Sequence, residues 1–166
     1  MAGESSNLHL KPIDGAVTAP KGFKAAGIRC GVKEKGPDLA LICSDVPAAC
    51  AALFTTNAVK AAPVIVSMER AKNGKAQAIV ANAGNANACT GERGIADAVR
   101  MAEITASELG IDPDDVLVCS TGIIGHFLDM EKIKNGIHEA ARDISVNDGP
   151  DAARAIMTTD TRPKMV

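Results

Sequence analysis

The sequence predicts an α/β protein with layered antiparallel sheets flanked by helices. Three observations carry that expectation. Short apolar runs alternate with longer stretches of three-four apolar spacing. Two of those stretches make well-formed amphipathic helices. A strongly apolar run, Asp115-Val116-Leu117-Val118-Cys119, lies between them. Within the 166 residues there is no internal repeat, low-complexity linker or charge block to divide the chain. That length suits one domain with a genuine core.

Residues 1–12 read as an N-terminal tail, and the ordered part opens at Pro12-Ile13-Asp14-Gly15, so the expected domain spans 13–166. Residues 38–43 (DLALIC) and 49–55 (ACAALFT) are apolar runs separated by Asp45 and Pro47, and they predict two strands joined by a turn. Pro63 through Lys72 predicts a short helix, with Pro63 in its first turn and Asn73-Gly74 closing it. Ala76 to Ala81 follows as a buried strand. Between Gly91 and Gly110 the positions Ile95, Ala98, Val99, Ala102, Ala106 and Leu109 form one helical face, which Gly110 terminates. After the 115–119 strand, Asp129 caps a helix carrying Met130, Ile133, Ile137, Ala140, Ala141 and Ile144 on one side. A last short helix starts at Pro150 and buries Ala152, Ala153, Ile156 and Met157. The predicted order is two strands, helix, strand, helix, strand, helix, helix.

Composition limits the function classes. There are 29 alanines against three aromatic residues, Phe23, Phe54 and Phe127. Single-strand nucleic-acid binders that stack bases need more aromatic platforms than that. A net charge of −2 supplies no basic footprint for nucleic acid and no polybasic membrane patch. No apolar run approaches the ~20 residues of a membrane span. No secretory signal is legible at the N-terminus, so a cytoplasmic location is expected. Cys30, Cys43, Cys50, Cys89 and Cys119 are scattered, without a Cys-x-x-Cys pair or a histidine at zinc-ligand spacing. They read as reduced thiols packed as small apolar residues, and no metal is expected. His9 falls in the tail and His138 on a helix, both read as solvated.

Three loops are candidates for chemistry. The first, Asn82-Ala83-Gly84-Asn85-Ala86-Asn87-Ala88-Cys89-Thr90-Gly91, leads from a strand into the long helix. Asn and Gly tolerate left-handed backbone, so the loop is tightly wound. It either aims backbone N–H groups at an anion or is a plain strand-to-helix turn. No nucleotide-binding glycine pattern accompanies it. The second, Ser120-Thr121-Gly122-Ile123-Ile124-Gly125, follows a strand directly. A hydroxyl followed by glycine can direct a side chain and a bare N–H at one point, as an oxyanion site requires. A turn without function is the alternative, and a thiol–imidazole pair from the flanking Cys119 and His126 is another. The third, Met157-Thr158-Thr159-Asp160-Thr161, offers three hydroxyls and a carboxylate. It reads either as a binding segment for an amino-acid substrate or as a helix end. Asp112, Asp114 and Asp115 cluster before a strand and read as solvated.

Together these loops resemble those of the ornithine acetyltransferase family, also called glutamate N-acetyltransferase, of arginine biosynthesis. Gly15-Ala16-Val17-Thr18-Ala19-Pro20-Lys21-Gly22-Phe23 and Phe54-Thr55-Thr56-Asn57 fit its N-terminal region, so five motifs stand in register over nearly all of 13–166. The resemblance implies a self-processing enzyme of the ornithine acetyltransferase and DmpA-type aminopeptidase class, cleaved into α and β chains. The new N-terminal threonine of β is its nucleophile. The acetyl group passes from N-acetylornithine to glutamate through an acetyl-enzyme. On this resemblance Thr121 and Gly122 stabilise the oxyanion and Thr158 binds substrate. No cofactor is implied, with acetyl-CoA left open as a further donor. The implied partner is a β chain, with αβ units forming a heterotetramer.

One departure accompanies the resemblance. The family's cleavage segment, a Pro-x-x-Ala-Thr-like run some tens of residues beyond the Thr-Thr-Asp motif, is not found before Lys164-Met165-Val166. The chain is therefore expected to be an α chain that lacks the nucleophile and is inactive alone. Lys164 belongs to a Thr-x-Pro-Lys continuation and is not equated with the family's substrate lysine. A DmpA-like amidohydrolase subunit and a non-catalytic small-molecule-binding α/β module are the alternative functions.

Overall fold

The computed structural model describes residues 13–165, so the expected 1–12 tail and His9 lie outside the described residues. Four strands, β1 (Phe23–Ile28), β2 (Leu39–Ala49), β3 (Lys75–Asn85) and β4 (Val116–Ile123), form one sheet in the order β1-β2-β3-β4. Four helices accompany them: α1 (Ala62–Arg70), α2 (Gly91–Leu109), α3 (Met130–Asp143) and α4 (Gly149–Ala155). The expected element order is thus the observed one, and the α/β class stands.

The sheet is mixed. β1 with β2 and β2 with β3 pair antiparallel, whereas β3 and β4 run parallel. The parallel pair follows from the 19-residue helix α2 between them, since parallel neighbours require a long crossover that hairpins cannot supply. That crossover puts the C-terminal ends of β3 and β4 side by side, and both candidate glycine loops lie there.

The first two strands sit elsewhere than expected. β1 occupies residues 23–28, and the apolar run 49–55 contributes only its first residue to a strand. β2 instead continues through Asp45 and Pro47 to Ala49, with its register shifting between Cys43 and Ala48. Pro47 has no N–H to give a ladder and occupies that irregularity. Beyond it, Leu53 is fully exposed and pairs with nothing that would make 50–55 a strand. The last helix is shorter than expected: α4 ends at Ala155, so Ile156, expected buried, is exposed, and Ala153 and Met157 are only half-buried. The helices α1–α3 match closely. Gly110 stops α2 in left-handed conformation (φ 67°), and the Asp129 side chain accepts from Lys132 N at the start of α3.

The core occupies one face of the sheet. Leu39, Leu41, Val80, Val116 and Val118 turn toward Ala98, Met101 and Ala102 of α2 and Ile133, Ile137 and Ala140 of α3, all with at most 1% exposure. On the opposite face the short helix α4 packs through Ala25, Ala40, Ala152 and Ala155, and among the described residues Ala16, Val17 and Met165 also border that face. α4 passes very close over β1, because a Cβ at Gly27 would stand 2.1 Å from the Asp151 carbonyl oxygen.

Both sheet edges are covered. Ser67 of α1 donates its hydroxyl to Val118 O (2.8 Å) and accepts from Val118 N (2.9 Å), while Arg70 Nη1 donates to Val116 O (3.0 Å). Helix side chains thereby stand in for the strand that β4 lacks. At the other edge, Ala25 and Ser145 exchange backbone hydrogen bonds of 2.8 and 2.9 Å.

Candidate functional site

The site begins where β3 and β4 end together. Asn82 pairs with Ser120, Ala83 with Thr121 and Gly84 with Gly122. The two glycines nearly touch: a Cβ on Gly122 would lie 2.3 Å from the carbonyl carbon of Gly84 and 2.6 Å from Asn85 N. Gly122 also adopts φ 134°, where side chains are disfavoured. Only glycine fits there, for space and for backbone conformation. Strand alternation places Thr121 on the same face as Cys119, the face that the helices α1–α3 leave uncovered. Thr121 is solvent-exposed and lines a hollow of about 580 Å³.

That hollow is largely apolar. Ile42 and Ile79 form its floor, Ile156 and Met165 lie along its side, and Ser120 and Thr121 stand at its polar end. The side chains of Asn82 and Ser120, by the same alternation, turn toward the sealed face, where Asn82 Oδ1 and Ser120 Oγ are buried without a hydrogen-bond partner among the described residues. Asn82 donates its Nδ2 to Asn85 O (2.8 Å). A tetrahedral oxyanion needs fixed donors next to a surface from which water can be excluded. The Thr121 hydroxyl at the rim of an apolar hollow is a donor of the kind the first requirement names.

The asparagine loop is a bracket that ties the ends of β3 and β4 to α2. Asn85 donates Nδ2 to the carbonyls of His126 (3.2 Å) and Phe127 (3.1 Å), and its Oδ1 accepts from Asn87 N (2.8 Å). Asn87 Nδ2 donates to Gly94 O (2.9 Å) and its Oδ1 accepts from Thr90 Oγ1 (2.7 Å), tying the loop to the first turn of α2. Ala86 N donates to Ile123 O and Gly125 N to Ala88 O, both at 2.9 Å. Asn87 (φ 46°) takes the left-handed backbone its residue type allows, and Cys89 (φ 57°) takes it as well. The loop spends the Asn85 amide on the segment after β4 and the Asn87 amide on the start of α2. Arg93 adds to this by stacking 4.1 Å from the centre of the Phe127 ring.

Cys119 and His126 do not form a pair. No hydrogen bond joins them among the described residues, and desolvation pushes the Cys119 thiol above its ordinary pKa. A thiol held protonated is a poor nucleophile. His138 is not simply solvated: its Nδ1 lies 2.8 Å from Glu108 Oε1, linking α3 to α2. Of the acidic trio, Asp112 caps a short turn by accepting from Asp114 N (2.9 Å). No group of three or more His, Cys, Asp or Glu that could hold a metal occurs among the described residues. Nor is any described helix long and apolar enough to cross a membrane.

Thr158 lies just past α4, exposed. Its neighbour Asp160 pairs with Lys164 (2.6 Å), whose hydrogen bond and charge hold the Asp160 carboxyl below the usual carboxylate range. Lys164, which lines the hollow, is thereby engaged. Two residues the sequence did not single out bear on this segment. Asp38, fully buried, accepts from Cys30 N (2.6 Å) and Lys33 N (2.8 Å), shaping the β1–β2 connection. Lys33 Nζ then donates to Met157 O (2.8 Å). The Lys33–Met157 contact leaves no local signal, because 124 residues separate the two.

A model of the ArgJ family matches residues 24–166. The chain is similar to the arginine biosynthesis bifunctional protein ArgJ of Caldanaerobacter subterraneus subsp. tengcongensis, with 60% identity over 157 residues, covering 95% of this chain and 39% of that protein. The corresponding protein of Symbiobacterium thermophilum is 53% identical over 155 residues, covering 92% of this chain and 39% of its own length. Among solved structures, the ornithine acetyltransferase of Mycobacterium tuberculosis, crystallised with ornithine, superimposes with a TM-score of 0.87 at 41% identity, covering 89% of this chain and 81% of that one. The arginine biosynthesis bifunctional protein of Bacillus halodurans gives a TM-score of 0.84 at 45% identity, with 89% and 78% covered. The chain spans 39% of the length of each of these two curated relatives.

Proposed function

The chain belongs to the ArgJ family, and from that premise we propose that it is the α part of an acetyltransferase that moves the acetyl group of N-acetylornithine to glutamate. Residues 13–166 form its α/β domain, completed by a β chain whose N-terminal threonine is the nucleophile. In the first half-reaction that threonine oxygen bonds to the acetyl carbon. The carbonyl π electrons move to oxygen, and the oxyanion rests on the Thr121 hydroxyl and the Gly122 N–H. Collapse of the intermediate breaks the C–N bond, ornithine leaves with the proton, and the acetyl group remains on the enzyme. The amine of glutamate then attacks the acetyl carbon through the same oxyanion site, the acyl C–O bond to the threonine breaks, and the amine's proton returns to the threonine oxygen, freeing N-acetylglutamate. Thr158 binds the substrate, no cofactor takes part, and acetyl-CoA serves as a second donor in keeping with the bifunctional name of the relatives.

The observation that supports this reading most is the meeting of Gly84 and Gly122. It puts Thr121 at the rim of an open apolar hollow on a backbone clamped from both sides. The uncovered sheet face supports a partner chain, since apolar surface of this kind favours burial. Paired αβ units in the cytoplasm complete the reading. Incubating the αβ complex with N-acetylornithine and glutamate tests it: N-acetylglutamate accumulates. Release of free acetate without N-acetylglutamate would instead make the protein a hydrolase that hands the acyl group to water.

A further inference from the structure

We infer that Lys33 is a positioning residue for the substrate-binding segment, its ammonium fixing Thr158 in place relative to Thr121 and Gly122 by holding the Met157 carbonyl. The inference rests on the acetyltransferase reading for what Thr158 binds, but the tether itself stands on contacts within this chain.

Lys33 is placed from its own end with care. The buried Asp38 carboxylate accepts from Lys33 N on one oxygen and from Cys30 N on the other, so the connection between β1 and β2 is wound tightly around one acid. Asp38 O in turn accepts from Ala83 N (2.9 Å), docking that connection against the end of β3. The lysine stem then crosses directly over Gly84. A Cβ there would lie 2.8 Å from Lys33 Cγ and 3.1 Å from Val32 Cγ1. Gly84 is therefore bare toward two neighbours: Gly122 packs on its backbone, and Lys33 passes over it. From Gly84 one lysine side chain reaches the Met157 carbonyl, the residue immediately before Thr158.

The segment it reaches has few other anchors. α4 ends at Ala155, and Met157 N makes only a long bond to Arg154 O (3.3 Å). Thr158, Thr159 and Asp160 are exposed, and Asp160 is tied to Lys164 four residues on, a local contact that does not fix the segment to the sheet. The Lys33 ammonium is a partly buried, charge-assisted donor and carries that task. The geometry thus connects Gly122, through Gly84 and Lys33, to Thr158.

Lys33→Met tests this, since it keeps the stem that packs over Gly84 and removes only the donor. In the αβ complex, KM for N-acetylornithine is expected to rise by roughly tenfold, the order lost with one charge-assisted hydrogen bond, while kcat changes little. Lys33→Arg, which restores a cationic donor, is expected to recover part of the affinity. On the same preparation, amide hydrogen exchange in residues 157–161 is expected to accelerate in Lys33→Met while β2–β4 keep wild-type protection. Unchanged exchange in that segment would overturn the tether whatever the enzyme does. Faster exchange with unchanged KM would overturn the positioning role. A fall in kcat with protection lost across the sheet would make Lys33 a general structural residue. Wild-type complex without acetyl transfer would sink the acetyltransferase reading alone, leaving the exchange result to decide the tether.

Discussion

The two faces of the sheet are built from alternate residues of the same strands, yet they end in different states. Leu39, Leu41, Val80, Val116 and Val118 are sealed under α1–α3, whereas Ile42, Ile79 and Cys119 line a hollow that α4 covers only in part. Both sets are apolar, so the difference is not one of side-chain chemistry. It comes from topology: the helices α1, α2 and α3 pack on one side, and the other side receives seven residues of helix. The covered face carries most of the buried core, and the uncovered face is where the proposed chemistry sits, with Thr121 at its end. A sheet that is apolar on both sides, with three helices on one and only α4's seven residues of helix on the other among the described α-helices, is a half-finished sandwich.

The contrast can be broken by paired substitutions on adjacent β2 residues. Leu41→Ala, on the sealed face, is expected to cost about 2–5 kcal/mol in urea unfolding, the range for a buried leucine that leaves a cavity. Ile42→Ala, one residue on, is expected to cost well under half of that, because its side chain faces the hollow. Equal costs would mean that the two faces are equally packed.

A smaller effect sharpens how the outer edge of β4 is held. Ser67→Ala removes both bonds to Val118 and leaves a buried N–H and C=O unpaired, a loss of about 1–3 kcal/mol by urea unfolding. Ser67→Thr, which keeps the hydroxyl, tests whether the bonds or the space matter. A neutral Ser67→Ala would show that α1 packing alone secures the edge.

The mildest prediction concerns pH. Burial, followed by the nearby Asp38 charge, pushes the Cys30 thiol from 9.0 up to about 12. The folded chain therefore holds this proton more tightly than the unfolded chain does. The contribution is fully present below pH 9.0 and is lost as pH rises toward about 12. Urea midpoints followed across that alkaline window should fall, and Cys30→Ala should flatten the decline even if it lowers the starting stability. An unaltered slope would show that another group governs alkaline unfolding.

Much of this was legible in the sequence, for reasons that differ by region. α2 and α3 announce themselves by three-four spacing, Gly110 and Asp129, all local signals. β1 does not: Phe23-Lys24-Ala25-Ala26-Gly27-Ile28 has little strand character, and its pairing with β2 is set by the sheet. The run after Ala49 looks like a strand because it is apolar, but it pairs with no strand among the described residues. The Thr121–Gly122 pair was visible as a hydroxyl beside a glycine, though the sequence places it in a loop after the strand and the structure inside β4. Its packing on Gly84 was not, because parallel pairing across α2 has no local signature. The same holds for Asn85 and Lys33, whose partners lie 41, 42 and 124 residues away.

The most direct measurement of the central claim is single-turnover acetylation of the αβ complex by N-acetylornithine, followed by intact mass, for wild type and Thr121→Ala. With the hydroxyl gone from the end of β4, the acetyl-enzyme should form about 10²–10³ times more slowly, while substrate binding and urea stability stay near wild type. Acetyl-enzyme forming at the wild-type rate in Thr121→Ala would contradict the account, because the meeting of β3 and β4 would then hold no oxyanion.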